Sequence, residues 1–394
     1  MPILLQINVT ANWGSTGKIA EAIGRSAMKK GWESYIAYGR MMNPSNSKLI
    51  KVGSKVDNYI HFACNRLLDM EGRSSCKVTK SLVRQIAEIK PDVVHLHNIH
   101  DHFLNYRILF EYLNQTNIKV VWTFHDCWAF TGHCYHFVQQ NCMKWQKECS
   151  DCVQRNKFVD RSRENFRLKN RLFAGCKNLT IVPCSEWMGD FVKESFLKDK
   201  RIQVIHNGVD LNTFKMLSGD KSLRVERGSF RIIAVSNVWL PYKGVFDIFK
   251  LRRMLSDDYE ITMVGLAKEQ LKILPAGIRG VTRTQNVEEL VHLYNEADVL
   301  INPTYADTFP TVNLEALACG TPVITYHTGG APEAVDARTG VVVEQGNVDM
   351  LAEVIRRMKA QPLFSVDCRK RAEECFDKDK CFMEYVRLYE KLML

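Results

Sequence analysis

Short apolar runs alternate with amphipathic stretches from one end of the chain to the other. In the first half the runs are Ile3–Val9, Tyr35–Tyr38, Val93–His97, Val120–Phe124, Leu179–Pro183 and Gln203–His206. In the second half they are Arg231–Val235, Glu260–Val264, Val299–Asn302, Val323–Tyr326 and Gly340–Val343. Helical spacing marks Gly17–Lys30, Thr79–Ile89, Val287–Glu296, Val312–Ala318 and Met350–Lys359. Strands that are apolar on both faces and separated by helices predict parallel sheet covered on each side. Two such series predict two doubly wound α/β domains. The pattern lapses over the polar stretch Asn207–Ser229, which places the boundary there. A last segment, Asp377–Leu394, sets Phe382, Tyr385, Val386, Tyr389 and Leu392 on one helical stripe suited to core packing.

Composition changes this picture little. The chain has 394 residues, 46% apolar and 25% charged, which excludes a disordered chain or a fibre. No run of about 18 uncharged apolar residues exists to span a membrane. The N-terminus, Met1–Val9, has no basic lead-in and turns polar early, so it reads as the first strand of a cytosolic protein. Charge adds more: 54 − 44 gives +10. Arg155, Lys157, Arg161, Arg163, Arg167, Lys169, Arg171 and Lys177 gather much of it in one stretch, against Asp160 and Glu164. Such a stretch can meet anionic lipid, nucleic acid or a phosphorylated substrate, or be a solvated helix face.

Open parallel sheets bind ligands beyond the carboxyl ends of their strands. Gly14 and Gly17 follow the first run and open a helix, where backbone can approach an anion, although a tight turn explains the pair equally well. His125 follows Val120–Phe124 and can hydrogen-bond a hydroxyl or handle a proton. His95, His97, His100, His102, His133 and His136 read as structural. Cys134, Cys142, Cys149 and Cys152, spaced C-x7-C-x6-C-x2-C within an insertion at about 132–155, suit either a structural tetrahedral zinc or free thiols. Lys243 follows Arg231–Val235 and can meet a phosphate or simply face solvent. The most specific stretch is Asp307 to Ile324. There Phe309 and Pro310 precede a helix start whose Thr311 and Val312 amides can seat a diphosphate, with Glu315 one turn further in. Glu315 can bind a ribose or merely complement the helix N-terminus.

Asp307 to Glu315 resembles the E-x7-E motif of the retaining glycosyltransferases of family 4, the glycosyl transferases group 1. Gly329-Gly330-Ala331-Pro332-Glu333 is similar to their GG-x-PE loop, and Asn207-Gly208-Val209-Asp210 with Phe214 to their NGVD…F signature. The resemblance implies the GT-B architecture, with two Rossmann-like domains and an interdomain cleft. Residues 1–205 would take the acceptor, 206–376 the nucleotide-sugar, and a 377–394 helix would cross back to the N-terminal domain. It implies that Lys243 neutralises the donor diphosphate, Glu315 holds the ribose, and Asp307 and His125 face the transferred sugar. Gly14 then lies near the diphosphate. No catalytic metal or cofactor is implied beyond the possible zinc at the four cysteines. The expected partners are a UDP- or GDP-sugar donor, a glycan or polyprenyl-linked acceptor and an anionic membrane at the inner face of the plasma membrane, with no nucleic acid. Rival readings are a catalytically inactive nucleotide-sugar-binding protein and a nucleotide-sugar 2-epimerase. Two departures stand out. Asn237 and Val238 occupy positions where the family carries an arginine, and Asp307 is one methylene shorter than glutamate.

Overall fold

Seven short strands, the central ones apolar enough to be buried on both faces, pair in parallel in the first half of a computed structural model that describes residues 1–155, 159–217 and 228–394. They are β1 (Ile3–Asn8), β2 (Glu33–Tyr38), β3 (Lys48–Lys51), β4 (Val93–Leu96), β5 (Lys119–Phe124), β6 (Leu179–Pro183) and β7 (Arg201–Ile202). Their order is 3-2-1-4-5-6-7. Helices α1 (Gly14–Lys29), α2 (Lys55–Leu68), α3 (Cys76–Ile89), α4 (Tyr106–Leu113), α5 (Ser162–Lys169) and α6 (Glu186–Glu194) provide the crossovers. A core through Leu5, Ile7, Leu96, Phe110, Trp122 and Phe173 fills the space between helices and sheet.

The second series gives a six-stranded parallel sheet of order 10-9-8-11-12-13. Its strands are β8 (Phe230–Val235), β9 (Tyr259–Val264), β10 (Ile278–Val281), β11 (Val299–Asn302), β12 (Val323–Tyr326) and β13 (Gly340–Val343). Helices α7 (Val245–Met254), α8 (Lys268–Leu271), α9 (Val287–Glu296), α10 (Thr311–Ala318), α11 (Val348–Ala360) and α12 (Ser365–Cys375) complete it. The chain divides into one unit of Met1–His206 with Phe382–Leu394 and another of Asn207–Cys381. The boundary stretch Asn207–Ser229 and the basic stretch each lie partly outside the described residues, and Lys157 falls there.

The last helix, α13 (Lys378–Met393), starts in the second unit and finishes in the first. Tyr389 Oη lies 2.6 Å from His95 Nδ1, and Thr123 Oγ1 donates to Tyr385 Oη at 3.2 Å. Both histidine-bearing β4 and its neighbour β5 are thus tied to this helix through fully buried polar groups, which must be paired where they sit.

Four elements differ from the sequence pattern, the unmarked edge strand β10 among them. The expected strand Gln203–His206 is replaced by the two-residue edge strand β7. Gln203 and Ile205 still donate backbone bonds to Ile181 and Pro183. Edge strand β3 and helix α2 are additional. β3 is only four residues of Lys-Leu-Ile-Lys, too short for a periodic signal, and α2 hides because its apolar residues point outward.

Candidate functional site

In the second unit the backbone leaving β8 makes a 3-10 turn, Pro241–Lys243, and Gly244 then starts α7 with φ +75°. A Cβ on Gly244 would sit 2.1 Å from Pro303 O, so glycine lets this turn press against the segment leaving β11. Tyr305 N donates to Tyr242 O at 2.7 Å and locks the two loops together. The result is a defined ion pair: Lys243 Nζ lies 2.7 Å from Asp307 Oδ2 and 3.4 Å from Ala306 O. Both side chains keep 22% of their surface exposed, so neither charge is sealed away.

Asp307 is held by a second close approach. Gly329, φ +56°, passes so near that a Cβ would lie 1.7 Å from Asp307 O, and Gly330 N donates to Thr308 O at 3.1 Å. Phe309 and Pro310 are buried, Phe309 packing on Phe376 at 5.9 Å, so these two can offer a ligand little besides backbone. Pro310 is the N-cap of α10 and supplies no side-chain acceptor. The first-turn residues Thr311 and Val312 therefore stand at an uncapped positive helix end. Glu315 Oε2 accepts from Tyr294 Oη at 2.9 Å. Burial, reinforced by Glu315, pushes the Tyr294 phenol well above its ordinary range, so it stays a donor. Tyr294 was not singled out from the sequence; an isolated tyrosine on an amphipathic helix carries no motif.

In the first unit Gly14 opens α1 with φ +65°, and a Cβ there would meet nothing within 4 Å. Its requirement is conformational, and α1 has neither a side-chain cap nor an acid in its first turn. Gly17 is the packed one: a Cβ would lie 2.7 Å from Thr10 Oγ1. His125 follows β5, with Nε2 3.2 Å from His97 Nδ1 while His97 Nε2 lies 3.0 Å from Gln6 Oε1. Burial holds the His125 imidazole at about 4, so it is neutral at neutral pH.

Burial also lowers His61 to about 3 and takes His95 and His97 well below the usual range. His100 and His133 run the other way, because Asp126 at 2.9 Å and Asp69 at 2.6 Å outweigh the burial that opposes their charge, His133 rising to about 9. The unfolded chain protonates the four lowered rings as pH falls through about 6.5, whereas in the folded chain His125 resists until about 4, His61 until about 3, and His95 and His97 until well below the usual range. The stability that these four rings contribute is thus present above about pH 6.5 and lost on acidification, whereas that of the raised His100 and His133 is present below about pH 6.5 and lost as pH rises. Thermal melts should fall from pH 6.5 to pH 5, below the range in which His133 changes charge; a flat profile there would contradict these histidines being neutral.

The four cysteines sit in the long excursion between β5 and β6, around the buried rings of Phe130, Phe137 and Trp145. Cys134 and Cys152 thiols hydrogen-bond each other, and Cys149 Sγ accepts from Gly132 N at 3.2 Å. Among the described residues no three of these sulfurs lie within 4.8 Å of one another; the trio of possible ligands that does is Asp69, His133 and Asp160. That trio is already engaged. His133 Nε2 contacts both Asp69 oxygens at 2.6 and 2.7 Å, and Asp69 and Asp160 accept the Arg161 and Cys152 amides at 2.5 and 2.8 Å. None of the cysteines is in a disulfide.

Two family models match the chain: Glycosyltransferase Family 4 over residues 18–213 and Glycosyl transferases group 1 over residues 223–375. "Putative colanic acid biosynthesis glycosyl transferase WcaC" of Escherichia coli K12 is 24% identical, the alignment covering 99% of this chain and all of that protein. D-inositol 3-phosphate glycosyltransferase of Streptomyces avermitilis is 29% identical over 54% of this chain and 52% of its own length. Among solved structures, sucrose-phosphate synthase from Thermosynechococcus elongatus matches with a TM-score of 0.75 at 16% identity, over 100% and 99% of the two chains. Anabaena Alr3699/HepE in complex with UDP matches with a TM-score of 0.67 at 13% identity, over 99% and 100%. These likenesses establish the GT-B architecture of two Rossmann-like domains. With matched models running through both units, the chain belongs to glycosyltransferase family 4, the glycosyl transferases group 1.

Proposed function

We propose that the protein transfers a sugar from a nucleoside diphosphate sugar, UDP- or GDP-linked, to a glycan or polyprenyl-linked acceptor, with retention at the anomeric carbon. Bacterial surface polysaccharide assembly is the setting this reading favours, in keeping with the name of the full-length relative from Escherichia coli. The observation that carries it is the Lys243–Asp307 pair at 2.7 Å beside the uncapped start of α10. In transfer, the bond between C1 and the diphosphate oxygen breaks with its electron pair leaving on the phosphate. The acceptor hydroxyl bonds to C1 and passes its proton to the departing phosphate oxygen. Negative charge therefore builds at one place, and a lysine plus helix amides stabilise it without reorganising. Lys243 would exchange Asp307 for phosphate as donor arrives, freeing Asp307 for the sugar hydroxyls. His125, neutral, suits a hydrogen bond to sugar rather than a charge there.

Glu315, already oriented by Tyr294, would hold the two ribose hydroxyls. Glu315→Gln keeps the helix and the Tyr294 contact but loses the charged acceptor, and should raise donor KM roughly tenfold with a smaller change in kcat. An unchanged KM removes Glu315 from donor binding. A panel of UDP-, GDP-, ADP- and dTDP-sugars read by thermal shift identifies the base, since a ligand at a hundredfold excess over Kd stabilises by about 2.7 kcal/mol. If none of the panel shifts the melting point, the donor reading fails.

We further propose that zinc, when bound, draws Cys134, Cys142, Cys149 and Cys152 together to pin the β5–β6 excursion, a rearrangement that is required because no three of their described sulfurs lie within 4.8 Å of one another. Protein purified without chelator should carry about one zinc per chain, released together with four titratable thiols on denaturation. A zinc-free chain, or one with a disulfide between Cys134 and Cys152, would contradict this.

A further inference from the structure

Two buried chains of hydrogen bonds run side by side at the carboxyl ends of β4 and β5, and each fixes where the proton of its histidine sits. The first starts on Gln6 of β1, which is fully buried. Gln6 Nε2 donates to Ala20 O at 2.8 Å. An amide oxygen could not make that contact, so the Gln6 side chain has one orientation. Its Oε1 therefore faces His97 Nε2 at 3.0 Å and, having no proton to give, makes that nitrogen the protonated one. His97 is 1% exposed, and burial keeps its ring neutral. A neutral imidazole carries a single N–H. With that N–H spent on Gln6, His97 Nδ1 can only accept, and 3.2 Å from it lies His125 Nε2. The two ring centroids are 5.5 Å apart and the planes 17° apart, so the contact is made edge to edge, in the plane of both rings. His125 is thus protonated on Nε2. Being neutral at neutral pH, it keeps the lone pair on Nδ1.

The second chain is ordered by the same logic. Thr123 Oγ1 gives its proton to Tyr385 Oη at 3.2 Å, so it accepts from His95 Nε2 at 2.8 Å, and His95 Nδ1 accepts from Tyr389 Oη at 2.6 Å. His95 and His97 therefore share one tautomer, with ring centroids 4.1 Å apart. Trp122 Nε1 donates to His97 O at 2.9 Å and anchors the backbone between the two rings. The chains differ in where they lead. His95 ends on buried tyrosines, whereas His97 passes its order outward to His125, which is only partly buried at the end of β5.

We propose that Gln6 and His97 are positioning residues that hold His125 as the Nε2–H tautomer, so that the atom it offers the transferred sugar is a hydrogen-bond acceptor. The inference rests on the reading that His125 faces that sugar, and it deepens it: the sugar must carry a free hydroxyl there, and that hydroxyl must be the donor. A sugar that is deoxygenated, fluorinated or O-substituted at that position has no proton to give and is selected against. The opposite tautomer would present an N–H, which an ether or ester oxygen could still accept.

NMR of the full chain, with histidine labelled in its ring nitrogens, reads the tautomer without any ligand. At neutral pH the His125 signals, assigned by their loss in His125→Gln, should show Nε2 protonated and Nδ1 bare. Gln6→Met removes the acceptor at similar volume and frees His97 to move its proton to Nδ1. His125 should then become a mixture of tautomers or reverse, while His95 stays as in the parent. Gln6→Glu should restore the parent pattern, because a glutamic acid kept neutral by burial donates to Ala20 O and accepts from His97 as the amide does. Tyr389→Phe should shift the His95 signals and leave those of His125 in place. In transfer from whichever UDP-, GDP-, ADP- or dTDP-sugar the thermal-shift panel identifies, Gln6→Met should lose roughly tenfold in kcat/KM and Gln6→Glu less than about threefold. The relay is overturned if the parent carries the His125 proton on Nδ1, or if Gln6→Met leaves that ring as it was. Should that variant not fold, the parent spectrum decides alone. A His125 tautomer as stated, with kcat/KM equal in Gln6→Met and parent, overturns instead the selection of a sugar hydroxyl and the placing of His125 against the sugar.

Discussion

Lys243→Ala is expected to lower sugar transfer by roughly a hundred- to a thousandfold, with donor hydrolysis falling in parallel. In the proposed reaction the ammonium is the compact positive charge that meets the leaving diphosphate, and removing one such preorganised group from a water-poor site costs about that much. The family's customary arginine is replaced here by Asn237 or Val238, and Val238 points into solvent with 56% exposure. Less of the charge can therefore be taken up by a neighbour, which puts the expected loss at the upper end. The substitution should leave the melting point of the free protein nearly unchanged, because the Lys243–Asp307 pair is partly solvated and such pairs contribute little to stability. It should also abolish most of the thermal shift produced by donor. Activity within about threefold of the parent, measured under saturating acceptor, would take Lys243 out of the reaction and with it the proposed charge stabilisation.

Gly329→Ala should be among the most damaging single-methyl changes in the second unit. Its Cβ would fall 1.7 Å from Asp307 O at a φ of +56°, so the loop bearing the proposed sugar contact must move. Backbone strain at such a φ costs on the order of 1 kcal/mol, and displacing a packed loop raises the total to about 3 kcal/mol or more. Gly14→Ala is the matched control: φ is +65°, yet nothing lies within 4 Å of the added methyl. It should show the conformational term alone. Comparing the two melting points isolates the steric part, and equal shifts would mean that the approach of Gly329 to Asp307 does not constrain the loop.

Much of the fold could be read from the chain because buried parallel strands announce themselves as apolar runs. Leu179–Pro183 and Val287–Glu296 have the same bounds in sequence pattern and in structure. The elements that escaped share a physical cause. β3 and β7 are edge strands of four and two residues, held by one neighbour and so free of the demand for continuous apolarity. α2 escaped because a helix is recognised by an inward stripe, and this one faces away. The candidate site could be named where a motif carried it, at Lys243, Asp307 and Glu315, and the structure pairs the first two. It was not legible in partners supplied from elsewhere in the chain: Tyr294 from α9, which orients Glu315, and Pro303 O, which demands Gly244. Nor could spacing alone show that Cys134 and Cys152 would meet while Asp69 and Asp160 tie down the loop around them.

The first unit is discontinuous. Its β4 and β5 rely on Tyr385 and Tyr389, which the ribosome delivers only after the whole second unit has been made. During synthesis His95 and Thr123 must therefore wait, incompletely satisfied, for almost the entire message to be read. Vectorial folding from the N-terminus can reach only an unfinished intermediate, and the unit becomes whole when the last turns of the chain return to it.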